Sequence, residues 1–156
     1  MDLKFVWMAV LFLASAAASA ETYDTEANPL FIKLPARIEK AMYGSKGNAE
    51  FFKDSGCKVV GVAIGLKDPQ KQDAYVVATR DGCGWGSAGG SVWIVQDAGV
   101  APDIVLDGFG VSITLNDKIK NGFRTISTLE GNAGSCSKSF YEYSGKGYSL
   151  VKRKRC

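Results

Sequence analysis

The sequence predicts a mainly β protein: antiparallel sheets or a meander of about eight short strands, led by a short helical segment and closed by two disulfides. Three observations predict this. From Lys58 onward, β-branched and aromatic runs alternate with Gly, Asn and Asp breaks. No helical pattern falls between those runs, and parallel crossovers need one. Four cysteines, Cys57, Cys83, Cys136 and Cys156, stand where antiparallel hairpins bring chain segments together.

Taken in order, the chain opens with Lys4, the apolar run Phe5 to Ala14, and Ala18-Ser19-Ala20. This is the layout of a signal peptide over residues 1–20, with cleavage before Glu21. The apolar run is too short to span a bilayer, which takes about 20 residues. Residues 21–156 then form one β-rich domain, expected to be exported, to periplasm or medium, with no membrane span. Residues 21–28 (ETYDTEAN) are polar and expected to be a loose terminus. A helical lead is expected at about 35–55. Pro35 suits a first helical turn, Ile38, Ala41 and Met42 share a face behind Leu34, and Gly44 reads as a stop. Asn48 is expected to cap a further turn through Phe51 and Phe52.

The strand runs are 58–64, 74–79, 91–96, 103–106, 111–115, 123–129, 139–144 and 148–153. Setting the run 58–64 against the run from Ala74 about a loop centred near Gln70 puts Cys57 opposite Cys83. Pairing 139–144 with 148–153 about Lys146 sets Cys136 opposite Cys156. Facing strand residues sit about 4.5–5.5 Å apart, within disulfide range. The expected bonds are therefore Cys57–Cys83 and Cys136–Cys156. An oxidising compartment agrees with that use of cysteine.

Composition narrows function more by exclusion. The chain has no histidine, which removes Ser-His-Asp and Cys-His catalysis and histidine-bound zinc. The net charge of +3 is mild and, with export, gives no argument for a nucleic-acid partner. The glycine-rich stretch 80–95, RDGCGWGSAGGSVWIV, lacks the lysine of a phosphate loop. Ser87 lacks the preceding glycine of a nucleophile elbow. The stretch reads instead as a wide connection with one end held by Cys83. Trp85 within it either stands out as a contact residue or folds back over the sheet as a lid. Trp93, between Val92 and Ile94, reads as core. Asp97 and Asp103 offer too few carboxylates for a calcium loop. No metal or cofactor is expected.

The stretches DAYVV, CGWGSAGGSVWIV, LDG and YEYSGKGY, spread over residues 57–151, resemble small exported proteobacterial proteins of uncharacterised function. Their strand-turn pattern is similar to that of degenerate FG-GAP-type β-propeller repeats. The calcium loop of true FG-GAP repeats is not matched at Asp97-Ala98-Gly99, and the chain is too short for a full propeller.

The leading functional expectation is a non-enzymatic binding protein, an inhibitor or immunity factor acting through surface loops. Its partner would be another protein, with a cell-wall-degrading enzyme as the concrete case. The expected contact residues are Trp85 and Ser87 on the glycine loop, Tyr141 and Tyr143 by the last turn, and Lys152 and Lys154 in the basic tail. The alternative is an envelope-associated structural module that binds anionic surfaces through the basic C-terminus. A third reading, a hydrolase working with paired carboxylates, would draw on Asp103, Asp107 and Glu142.

Overall fold

The β-rich runs form two antiparallel sheets packed face to face, with two short helices on the far side of one of them. This is seen in a computed structural model that describes residues 19–132 and 134–156. In chain order the elements are β1 (Glu21–Asp24), α1 (Ala36–Gly44), α2 (Ala49–Ser55), β2 (Val59–Ile64), β3 (Ala74–Thr79), β4 (Gly90–Gln96), β5 (Asp103–Gly110), β6 (Ser112–Lys120), β7 (Phe123–Asn132), β8 (Ser135–Tyr143) and β9 (Tyr148–Arg155). One sheet has the order β2-β3-β4-β5, the other β1-β6-β7-β8-β9. The signal-peptide expectation falls almost wholly on residues 1–18, outside the described residues.

Strand periodicity explains the layers. Side chains alternate across a strand, so a strand that buries both faces must be apolar throughout. β3 and β4 are such strands. Val76, Val92 and Ile94 face Ile113, Leu115, Ile126 and Tyr141 of the other sheet. Val77, Trp93 and Val95 face the opposite way, onto Ile38 and Met42 of α1 and Phe52 of α2. Trp93 is 1% exposed, as its place in the strand implied. A fully buried aliphatic side chain stabilises by about 1.5–3 kcal/mol over an exposed one. The four-stranded sheet is thus the middle layer, and its apolar composition is what requires the helices to cover it. Gly44 closes α1, and Gly56 follows α2 in the left-handed conformation, φ 64°. The Asn48 side chain makes no capping bond.

The first correction is at residues 21–28. They are not loose: β1 pairs with β6, Tyr23 opposite Ile113 and Glu21 opposite Leu115. Tyr23 and Thr25 are buried. Four residues with charged neighbours carry too little pattern to read as a strand; the partner β6 decides it. β1 is the ninth strand, where about eight were expected.

β1 is fixed at its start by Arg124. A bulge in β6 breaks its ladder with β7 between Leu115 and Ile119. Arg124, 1% exposed, fills the break. Its guanidinium donates to the Leu115 carbonyl at 2.8 Å and the Asn116 carbonyl at 3.2 Å, and to the Glu21 carboxylate at 2.5 Å. The Ser19 carbonyl accepts a further bond. A buried cation needs such company, because desolvation alone costs several kcal/mol. The Tyr23 hydroxyl donates to the second Glu21 oxygen, and the Tyr148 hydroxyl to the Arg124 carbonyl.

Both disulfides form as the sequence implied, with Cα separations of 5.6 Å at Cys57–Cys83 and 5.3 Å at Cys136–Cys156. The registers behind them differ from the simple hairpin. Val59 faces Thr79, so the ladder centres on residue 69 rather than 70. Cys57 still meets Cys83 because the chain leaves β3 through a tight turn, Arg80–Gly82, with Asp81 at φ 56°. At the other bond Tyr143 faces Tyr148 across the turn, one step off the Lys146 centre. A bulge then puts Phe140 opposite Lys152, and the corrected register carries through to the cystine.

Candidate functional site

Antiparallel order gathers the connections at two ends. At one end lie both disulfides, the 80–89 loop, the β7–β8 turn and the C-terminus. The glycine loop is built there in two steps. Gly86 and Gly89 exchange backbone hydrogen bonds, which leaves Ser87-Ala88 as a two-residue tip. The Ala88 carbonyl then accepts from the Gly131 N–H, tying the tip to the other sheet.

Trp85 takes the lid position rather than the protruding one. It is half-buried, its indole N–H donates to the Thr79 hydroxyl at 3.1 Å, and its ring lies flat over Gly90. A Cβ at Gly90 would run into the indole, so a glycine is needed there. Ser87 is exposed at the tip.

The expected tyrosine patch is internal. Tyr141, 9% exposed, belongs to the core between the sheets. Tyr143 stacks on Phe123, ring centroids 3.8 Å apart, and meets Tyr148 edge-on. The reason is parity: Tyr141 and Tyr143 share the inward side of β8, which leaves Lys138, Phe140 and Glu142 on the outward side.

That outward side, with the open strand β9, is where Lys152 and Lys154 stand. Lys152 faces Phe140 across the ladder and Lys154 faces Lys138. β9 is the sheet edge, and every residue from Ser149 to Cys156 is exposed. Leu150 and Val151 expose 51% and 55% of their surface. Among the described residues Lys152 and Lys154 have no ion pair. Arg153, on the inward side, donates to Ser139 and Glu130. Lys118 pairs with Glu142 at 3.0 Å, and that bond holds the Glu142 carboxyl below its ordinary value. The structure therefore joins Lys152 and Lys154 in one cationic strip, places Ser87 in the connections at the same end, and sets Trp85 and Tyr141 into packing roles.

The carboxylates of the hydrolase reading separate. Glu142 is on the outward face of the five-stranded sheet. Asp103 and Asp107 both line a cavity between α1 and β5. They are four positions apart on one strand, about 13 Å of rise, whereas glycosidase pairs have their carboxyl groups about 5–9.5 Å apart. Burial raises the pKa of Asp107, and the nearby Trp93 indole lowers it by less. Among the described residues no group of three His, Cys, Asp or Glu side chains is placed to hold a metal ion. No described helix is long and apolar enough to cross a membrane.

The feature that sequence reasoning missed is this cavity. It needs α1 and the 97–102 loop to meet, and only the Arg37–Asp97 ion pair at 2.5 Å marks that meeting. No periodic signal links residues sixty positions apart. No protein-family model, curated protein or solved structure matches the chain.

Proposed function

We propose that this chain is an exported, non-enzymatic binding protein, an inhibitor or immunity factor that docks an acidic segment of a protein partner on β9 and the loop tip beside it. The observation that supports this reading is the open edge. Among the described residues β9 pairs with β8 alone, and its other edge offers backbone groups, exposed Leu150 and Val151, and four consecutive cations, Lys152 to Arg155. An extended peptide can add to such an edge, with backbone hydrogen bonds for affinity and side chains for choice. The cations steer an acidic segment and repel basic ones. Cysteine chemistry is unavailable, because both pairs are oxidised. Histidine is absent from the sequence. The disulfides agree with an oxidising compartment.

The test starts with capture of partners from an envelope extract by the protein, and their identification by mass spectrometry. Affinity for the purified partner is then measured with Lys152→Glu/Lys154→Glu. We expect at least about tenfold weaker binding, or about 1.4 kcal/mol, with melting unchanged. Unchanged affinity would remove β9 from the interface. Trp85→Ala is unsuitable for this purpose, since Trp85 packs on Gly90 and its loss reads out as stability.

One observation favours a second reading, an envelope-associated module. The outward face beside β9 also carries Lys138, which faces Lys154, so cations extend from the edge onto β8. Sedimentation with phosphatidylglycerol vesicles separates the two readings. Vesicle binding that falls steeply with salt, without a captured protein, supports the module.

A further inference from the structure

No residue of β9 lines the cavity between α1 and β5, which takes no part in the docking reading. It is an open groove of about 670 Å3, inside the range of small-molecule sites, about 300–1,000 Å3. Its two walls carry opposite charge. The α1 wall presents Arg37 and Lys40, and the β5 wall presents Asp103 and Asp107. Pro102 and Ile104 give it an apolar side. Arg37 is already matched by Asp97, but among the described residues Lys40, Asp103 and Asp107 have no ion pair.

A second observation singles out the Asp107 wall. Trp93, opposite Asp107 in the ladder, is fully buried, and its indole N–H has no hydrogen-bond partner among the described residues. The acceptor beside it is the Asp107 carboxyl. Asp107 is exposed as a residue, yet its carboxyl is partly desolvated on the cavity side, which raises its pKa. The indole N–H approaches it closely enough to lower that pKa, by less. A cation on the cavity side of Asp107 stabilises the carboxylate and fixes it as acceptor for Trp93.

We propose that this cavity binds a small zwitterion of amino-acid or dipeptide size. Its ammonium group sits on Asp107, its carboxylate on Lys40, and its apolar side chain against Pro102 and Ile104. Opposed walls select a ligand with both charges over a simple cation or anion, because each alone leaves one wall unmatched.

The test uses leucyl-leucine as probe and the indole N–H resonance of Trp93 as readout, identified by its persistence in Trp7→Phe/Trp85→Phe. We expect a saturable shift of that resonance at millimolar peptide. N-acetyl-leucyl-leucine, which lacks the ammonium, binds at least about tenfold more weakly, a loss of about 1.4 kcal/mol. Asp107→Asn gives the same loss, and its unchanged melting temperature shows that the fold is intact. Lys40→Ala weakens the peptide but not leucyl-leucinamide, which lacks the carboxylate. A Trp93 resonance unmoved by about 10 mM peptide, far above a millimolar Kd, overturns the proposal. So does equal binding of the acetylated peptide. Lys152→Glu/Lys154→Glu leaves the shift in place, so failure here and failure of the docking reading are told apart.

Discussion

The two ends of the sandwich are held by different chemistry. One end, where β2 starts and β9 finishes, has both disulfides. The other has none; there a buried guanidinium joins β1, the β6 bulge and β7. A crosslink acts largely on the unfolded chain, by removing conformations, in the chain-entropy account. The Arg124 cluster acts on the native state, by filling a break in a ladder that would otherwise leave carbonyls unpaired. The first kind of restraint is indifferent to protonation and sensitive to reductant. The second is the reverse.

The largest expected effect breaks the non-covalent end. Arg124→Ala strips the Leu115 and Asn116 carbonyls of their donor and Glu21 of its cation. One buried acceptor at Leu115 and one part-buried at Asn116, at about 1–3 kcal/mol for the buried one and less for the other, with little returned by the part-exposed Glu21, give a loss of about 3 kcal/mol. Urea unfolding measures it. Amide exchange should show β1 opening first, because only β6 pairs with it. A loss under about 1 kcal/mol would mean that water replaces the guanidinium at the bulge.

Close behind is the covalent end. Cys57→Ser/Cys83→Ser opens a crosslink spanning 26 positions, and Cys136→Ser/Cys156→Ser one spanning 20. The chain-entropy model gives about 3 kcal/mol for each. Equal losses would place the effect in the unfolded chain. A clearly larger loss at Cys57–Cys83 would place it in the native state instead, since Cys57 packs with Phe52 and Val59 under the helices while Cys156 is exposed.

The same contrast explains how much could be read in advance. The disulfide end was legible because cysteine is rare and its pairing obeys strand arithmetic. The arithmetic worked for reasons the sequence hides: the Arg80–Gly82 turn at one bond, and the bulge before Lys152 at the other. Tyr141 and Tyr143 were placed on one face of a strand, but whether that face was core depended on the second sheet. Arg124 gave no signal at all. It sits in FRTISTL as an ordinary polar residue of an alternating strand, and its burial follows from a bulge eight positions earlier in β6. Trp85 left two outcomes open, and Gly90 decides between them by giving the indole a place to lie. The cavity residues Arg37, Lys40 and Asp107 belong to α1 and β5, and nothing local pairs a helix face with a strand so far along the chain.

The smallest expected effect is pH dependence, and it sharpens the comparison because the Arg124 cluster titrates and the disulfides do not. Burial alone would raise the pKa of Glu21, but hydrogen bonds from Arg124 and Tyr23 and the Arg124 charge outweigh it and hold it below the ordinary 4.5. A lowered carboxylate pKa stabilises the fold fully above the unfolded value, and that contribution fades as pH falls through the folded one. Tyr23 shifts the other way. Burial, with its hydrogen bond to Glu21 and the charge there, pushes it up from 10.0 to about 12. Its contribution is full below pH 10 and is lost as pH rises through about 12. Burial raises Tyr148 in the same sense. The melting temperature should therefore pass through a plateau with an acid limb below about pH 4.5, which Glu21→Gln weakens, and an alkaline limb above about pH 10, which Tyr23→Phe weakens. Replacing both cystines by serine pairs should lower the whole curve without moving either limb, since serine adds no group that titrates there. If that replacement shifts the limbs, the two ends are coupled through β6 and β7, and the separation drawn between them fails.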